Sequence, residues 1–294
     1  MNQRLADKLA TMMFWSGAAL VLIILGVLVG YILYHGFQSI DYAFLTKPPL
    51  TSAAGGGVGP QIFNSFYLLF LSMMITIPIG LLAGIYMAEY AQPGKVTEII
   101  RLSIETLTSL PSIVVGLFGL LIFVNMTGWG YSLASGALAL TVFNLPMMVR
   151  IVEESIANVP NSLRESSLAL GATRWQTIWR VVLPAAFPGF VTGTIIISGR
   201  VFGEAAALLY TAGMSSPALN FHDFNPTSPS SPINPFRPAE TLAVHIWKVN
   251  SEAMIPDIRR VADGSAAVLV FIVMLFNLSA RWLGRIIYKR FTAS

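Results

Sequence analysis

The chain has 294 residues, 55% hydrophobic and only 11% charged, against about 25% charged in a soluble domain, so lipid is its expected solvent. Its net charge of +4 comes from basic residues that flank apolar runs and form no single patch, which argues against nucleic acid as a partner. With no cysteine there is no disulfide, thiolate metal site or cysteine nucleophile, and His35, His222 and His245 stand far apart in sequence.

The N-terminus carries Arg4 and Lys8 before an apolar run from Met12 to Tyr34. That run is too long for the apolar stretch of a signal peptide and lacks a small-residue cleavage site, so it reads as an uncleaved first span. Six apolar segments follow one another, at about 12–34, 62–87, 104–125, 131–151, 186–211 and 264–288, each near or above the ~20 residues that cross a bilayer. The expected fold is all-α and polytopic, with six transmembrane helices. Trp15, Tyr34, Trp129, Tyr131, Trp282 and Tyr288 sit near span ends, as interfacial anchors do.

With the N-terminus in the cytoplasm, twelve Lys and Arg fall inside and five outside, and Arg200 lies within a span. The bias places both termini in the cytoplasm. Glycines four apart recur at Gly26/Gly30, Gly80/Gly84, Gly189/Gly193 and Gly199/Gly203, where helices can approach closely.

Three connections are long. The first outer loop, about 35–61, holds the run Ala53-Ala54-Gly55-Gly56-Gly57-Val58-Gly59-Pro60, which reads as a flexible lead into span two. The inner loop, about 152–185, is polar yet helix-friendly. The outer loop, about 212–263, is irregular in its proline-rich first half. From Glu240 to Met254 its apolar residues Leu242, Ile246 and Val249 have helical spacing, which predicts a short outer-surface helix. Thus residues 1–61 form an N-terminal span and loop, 62–288 the core, and 289–294 a cytoplasmic tail.

The inner loop reads Glu165-Ser166-Ser167-Leu168-Ala169-Leu170-Gly171, then nine residues, then Val181-Val182-Leu183-Pro184. This resembles the EAA loop of ABC-importer permeases: Glu-Ala-Ala, three residues, Gly, nine residues, Ile-x-Leu-Pro. Both spacings match; the departures are two serines for alanines and Val181 for isoleucine. Physically, a short helix of small residues can press into a partner's groove, and Gly171 permits a sharp turn. Arg164 and Arg174 are placed to pair with acids on that partner, and Pro184 sits at the start of span five, where a missing N–H costs little. The resemblance implies the type I (MetI-like) permease fold, with Glu165, Ser166, Ser167, Ala169, Gly171, Leu183 and Pro184 coupling to a cytoplasmic ATPase. ATP and Mg²⁺ would belong to that partner; the chain itself carries no phosphate-binding loop, since Gly94-Lys95 is followed by valine and Glu89 stands where the first glycine is needed.

Span five contains Ser198-Gly199-Arg200-Val201-Phe202-Gly203-Glu204. Arg200 and Glu204 are the charges deepest in an apolar segment, and at i, i+4 they are expected to share a helix face. A structural ion pair and a substrate-pathway role both fit. The Arg-x2-Gly-Glu run, the glycine-rich segment before span two and Glu240-Thr241-Leu242 before span six resemble the PstA type of phosphate permease. That resemblance implies a pore shared with a homologous PstC-type permease, a PstB-type ATPase dimer below, and a PstS-type extracytoplasmic phosphate-binding protein above. Phosphate suits a guanidinium fork. A permease for another oxyanion or small nutrient is the nearby alternative, and a gradient-driven secondary transporter or anion channel the distant one. Glu89, Glu105, Arg150, Glu153 and Glu154 read as interfacial or intersubunit contacts.

Overall fold

The computed structural model describes residues 3–50, 53–252 and 255–292, except for the side chains of Gln3, Ala6 and 287–292. The expected anchor Tyr288, the end of the helix drawn to Met254 and the basic tail side chains therefore lie outside the described residues. The described residues form helices and turns without strands. In chain order the helices are α1 (Gln3–Phe37), α2 (Tyr42–Thr46), α3 (Gly59–Ile85), α4 (Lys95–Thr108), α5 (Ser112–Gly119), α6 (Leu133–Ala157), α7 (Asn161–Ala169), α8 (Arg174–Thr177), α9 (Leu183–Gly203), α10 (Ala206–Leu209), α11 (Leu242–Ser251) and α12 (Ile258–Thr292). Wider π-helical turns extend α3 to Tyr90 and α5 to Met126, and join α8 to α9 through Ile178–Val182.

Among the described residues five helices are long and apolar enough to cross a bilayer, and a sixth if α4 and α5 count as one broken span. The segment expected as a span at 104–125 is broken. It is two helices meeting at 99°. Pro111 supplies no N–H and disfavours helical backbone at the residue before it; α4 ends at Thr108, and Ser109 and Leu110 close its last turn on the Glu105, Thr106 and Leu107 carbonyls. The polar residues Lys95, Glu98, Arg101 and Glu105 lie on the α4 side of the break, which has no buried residue.

The bundle is built around α6, whose apolar stretch is 67% buried, against 0% for α1. Small residues set its approach on two sides. A Cβ on Gly84 would stand 2.5 Å from the Val152 Cβ, and one on Gly80 would strike Met148, so α3 lies close along α6. Gly189 and Gly193 bring α9 against Ser155 and Ile151 on the other side. Two of the four glycine pairs thus do the expected packing. Gly26, Gly30 and Gly203 face open space, and Gly199 has only Asn277 in ordinary contact. α1 touches the rest through its C-terminal end, where buried Gly36 rests on Asp263 and Ala267 of α12.

At the end of the bundle where α3 begins, a cap forms from α2, the glycine-rich segment, the proline-rich loop and α11. The glycine-rich segment is not the flexible lead expected from its composition. Val58 N donates to Phe44 O at 2.7 Å and Gly59 N to Lys47 O at 3.2 Å. Cβ atoms on Gly57 and Gly59 would stand 2.5 and 2.6 Å from the Phe44 and Thr46 carbonyl oxygens. Glycine is needed there because the backbone runs against α2. The helix expected near 240–254 is present as α11, but it lies inside the cap: Leu242 and Val249 are buried with Phe44, Val58 and Val261, and Val244 is buried against the main core of the bundle. The opposite end carries α7 and is called the elbow end below.

Candidate functional site

At the elbow end α6 runs to Ala157 and the next long helix starts at Arg174, so the exposed connection is shorter than the 152–185 loop read from the sequence. Pro160 opens α7 and Gly171 closes it with φ of +86°, a backbone conformation that glycine adopts without strain. Leu170 N donates to Ser166 O, Gly171 N to Leu168 O and Ala172 N to Ser167 O, which folds the chain back on itself. Thr173 and Gln176 then cap α8 reciprocally, each side chain accepting from the other's backbone N–H. The result is a tight helical elbow.

Its residues divide by direction. Ser167 turns inward, its Oγ 2.9 Å from the Thr177 Oγ1 of α8. Glu165, Ser166, Ala169 and Gly171 are exposed. So are Leu163, Leu168 and Trp175, and Leu170 at the tip is 89% exposed. Leu183 and Pro184 are half-buried at the root. Pro184 stands in the first turn of α9, as the sequence reading had it, where a missing N–H costs little. The π-helical turn at Ile178–Val182 joins α9 to α8, so the rod continues back to Arg174.

Arg164 is not offered to a partner. Its Nε donates to Glu89 Oε1 at 2.9 Å, its Nη1 to Val159 O at 2.6 Å and Asn161 Oδ1 at 3.1 Å, and its Nη2 to Ile156 O at 2.8 Å. One guanidinium thus ties α7 to the end of α3 and closes the carbonyls left open at the end of α6. The other charges expected at interfaces also pair within the chain: Arg101 with Glu153 at 2.7 Å, Arg150 with Glu154 at 2.8 Å and with Glu105 at 4.0 Å. Arg174 is exposed, and among the described residues no acid pairs with it.

Arg200 lies on α9, half-buried. Its guanidinium carbon stands 3.8 Å from the centre of the Phe143 ring, and Nη1 is 3.6 Å from the Met147 Sδ. The expected shared face with Glu204 does not exist. α9 ends at Gly203, Glu204 has extended backbone (φ −75°, ψ 122°), and its Oε1 accepts from Ala207 N at 3.1 Å to open α10. Among the described residues no ion pair joins Arg200 to Glu204. The positive charge is held by a π face and a thioether, both soft and neutral, with no carboxylate to neutralise it.

The cap hides a polar cluster that sequence reasoning missed. Arg237 is 2% exposed and Glu240 1%. Arg237 Nη2 donates to Asn64 Oδ1 at 2.8 Å and to Pro232 O at 3.1 Å, while Nε reaches Ser231 O at 3.1 Å. Asn64 Nδ2 donates in turn to Glu240 O and Ser216 Oγ. The Glu240 carboxylate accepts from Gln61 Nε2 at 3.0 Å, meets His245 Nδ1 at 3.1 Å and has Lys248 Nζ at 3.6 Å. Burial pushes the Glu240 carboxyl up, but the His245 bond and charge, then Lys248 and Gln61, outweigh it and leave its pKa below the usual value. Burial lowers the Arg237 guanidinium to about 10. One signal was in the sequence: Arg237 and Glu240 are the two Lys/Arg/Asp/Glu residues between Phe224 and Trp247.

Residues 80–293 match the model of the family described as binding-protein-dependent transport system inner membrane component. The chain is 58% identical over 294 residues, all of both chains, to the probable ABC transporter permease protein YqgI of Bacillus subtilis. It is 34% identical over 252 residues, 84% of this chain and 78% of the other, to the phosphate transport system permease protein PstA of Yersinia pestis. A chain in the crystal structure of a bacterial alginate ABC transporter superposes with a TM-score of 0.65 at 18% identity, covering 96% of each chain, a likeness of fold alone.

Proposed function

Because the chain belongs to the binding-protein-dependent inner membrane family of ABC importer permeases, membrane transport subunits and not catalytic enzymes, we propose that it forms half the pore of an ATP-driven inorganic phosphate importer. Both termini lie in the cytoplasm in this reading, and the elbow end faces the cytoplasm. A homologous PstC-type permease completes the pore. A PstB-type ATPase dimer, holding ATP and Mg²⁺, docks on the elbow, and a PstS-type binding protein delivers phosphate to the cap.

The observation that carries the substrate is the unneutralised Arg200 guanidinium in a chain with PstA relatives. An intramembrane cation held only by Phe143 and Met147 gives them up at little cost when a phosphate oxygen arrives, because charge-assisted bonds are stronger. Glu204 supplies a carboxylate just past the helix end, able to accept the proton of hydrogen phosphate and to disfavour sulfate. The elbow transmits force: exposed Glu165, Ser166, Ala169, Leu170 and Gly171 meet the ATPase, while Ser167 and the Arg164–Glu89 tie pass its displacement into α8–α9 and α3.

The test is ATP-driven uptake of labelled phosphate in vesicles containing the two permeases, the ATPase and the binding protein. Arg200→Gln in an assembled complex is expected to lower phosphate uptake roughly tenfold to a hundredfold, the worth of a lost charge-assisted bond. Unchanged uptake rejects the role of Arg200. A complex that moves sulfate and not phosphate rejects the substrate.

A further inference from the structure

At the elbow end, α9 and α12 meet where a Cβ on Gly284 would stand 2.7 Å from the Val191 Cγ1. Around that crossing the helices open into a cavity of about 250 Å³, bounded by Pro188, Val191 and Ile195 of α9 and by Arg281 and Arg285 of α12. A second cavity of about 290 Å³ continues from it toward the middle of the bundle, sharing Ile195 and Arg281 and lined further by Ile196, Gly199, Met274 and Leu278. The pair makes a groove on the flank of the bundle, cationic at one end and mostly apolar along the rest, with Thr192 and Asn277 as its uncharged polar lining.

Both guanidiniums lack an acid. Among the described residues neither Arg281 nor Arg285 has an ion pair, whereas Arg101, Arg150 and Arg164 at the same end all do. Trp282, 64% exposed between them, marks the level of a headgroup region. Two unpaired guanidiniums at the mouth of a mostly apolar groove suit an anionic headgroup that carries an acyl chain, whereas water or a soluble ion would leave the apolar part uncovered. We propose that this groove binds an anionic phospholipid, its phosphate held by Arg281 and Arg285 and an acyl chain lying along Ile195, Ile196, Met274 and Leu278. The leaflet, cytoplasmic, rests on the orientation proposed above; the chemistry of the groove does not. Such a lipid would bridge the helix that follows the elbow to the last span, at the place where elbow motion enters the bundle.

The full chain purified in mild detergent is to be offered phosphatidylglycerol or phosphatidylcholine and examined by native mass spectrometry. Phosphatidylglycerol is expected to be retained preferentially, and Arg281→Gln/Arg285→Gln to weaken its retention on the order of tenfold or more, since each basic residue near a charged headgroup is worth about a factor of five. Arg281→Lys/Arg285→Lys is expected to restore most of it, which separates loss of charge from loss of fold. Equal retention of both lipids, no difference for the glutamine pair, or displacement by inorganic phosphate as effective as by phosphatidylglycerol overturns the proposal. So does a photo-crosslinker at Val191 that captures the second permease in the assembled complex and no lipid. Phosphate uptake enters none of these readouts, so the groove and the transport reading fail separately.

Discussion

Arg164 is the side chain whose removal most directly probes how the elbow is held. Arg164→Ala deletes the 2.9 Å ion pair with Glu89 and the bonds to Val159 O, Asn161 Oδ1 and Ile156 O together. The side chains of Arg164 and Glu89 are only 18% and 15% exposed, so the pair is nearer the buried than the surface limit. Breaking a buried pair costs about 3–5 kcal/mol; residual solvent contact brings the expectation to about 3 kcal/mol. That energy holds α7 to α3 and α6, while the α3–α6 contact is made elsewhere, at Gly80 and Gly84. The loss is therefore local. Hydrogen exchange of the amides of Leu170, Gly171 and Ala172 and of the α7 ladder should accelerate roughly 150-fold, with the core of α6 unchanged. Glu89→Gln, which keeps a hydrogen-bond acceptor for Arg164, should cost only about 1 kcal/mol. Unchanged exchange at the elbow, or equal acceleration along α6, would refute the tie.

Gly171→Ala forces a β-carbon onto a φ of +86° and should destabilise the elbow by about 1 kcal/mol, read as faster exchange at Ala172 with the spans unaffected. Gly84→Val drives methyl groups into Val152 and the Val149 carbonyl and should lower stability by about 1–3 kcal/mol, whereas Gly26→Val, with open space around it, should leave the isolated subunit's melting temperature unchanged. In the cap, Glu240 has its carboxyl held below the unfolded value, so its stabilising contribution is fully present above that value and is lost as pH falls through the folded one. Fluorescence of Trp247 on α11 should accordingly stay flat from neutral pH to about pH 5, then change in more acidic solution; Glu240→Gln should abolish that acid transition. Glu204→Gln should narrow the preference for phosphate over sulfate, measured as the ratio of the two uptake rates; an unchanged ratio removes Glu204 from selection.

The spans were legible because twenty apolar residues in a row admit few structures other than a bilayer-crossing helix. The elbow was legible for another reason, a specific spacing from Glu165 through Gly171 to Pro184. What failed were the ends and breaks. Residues 105–112 read Glu-Thr-Leu-Thr-Ser-Leu-Pro-Ser, and this short polar, proline-bearing break was averaged into the apolar run at 104–125, so the 99° bend went unread. The four-residue spacing of Arg200 and Glu204 presumes a helix that continues, and α9 stops at Gly203 between them. Arg164 was read as free because its partner, Glu89, is 75 residues earlier, beyond any local pattern. The buried Arg237–Asn64–Glu240 cluster escaped because proline spacing correctly describes an irregular backbone and says nothing about which irregular residues face inward.

Transmission through the elbow is the central claim, and the chain's lack of cysteine permits a direct test. Leu170→Cys places one thiol at the elbow tip, at a position 89% exposed. In intact cells that thiol should resist a membrane-impermeant maleimide and should crosslink to the ATPase subunit. Labelling from outside the cell, or phosphate transport that continues with the ATPase removed, would contradict the account.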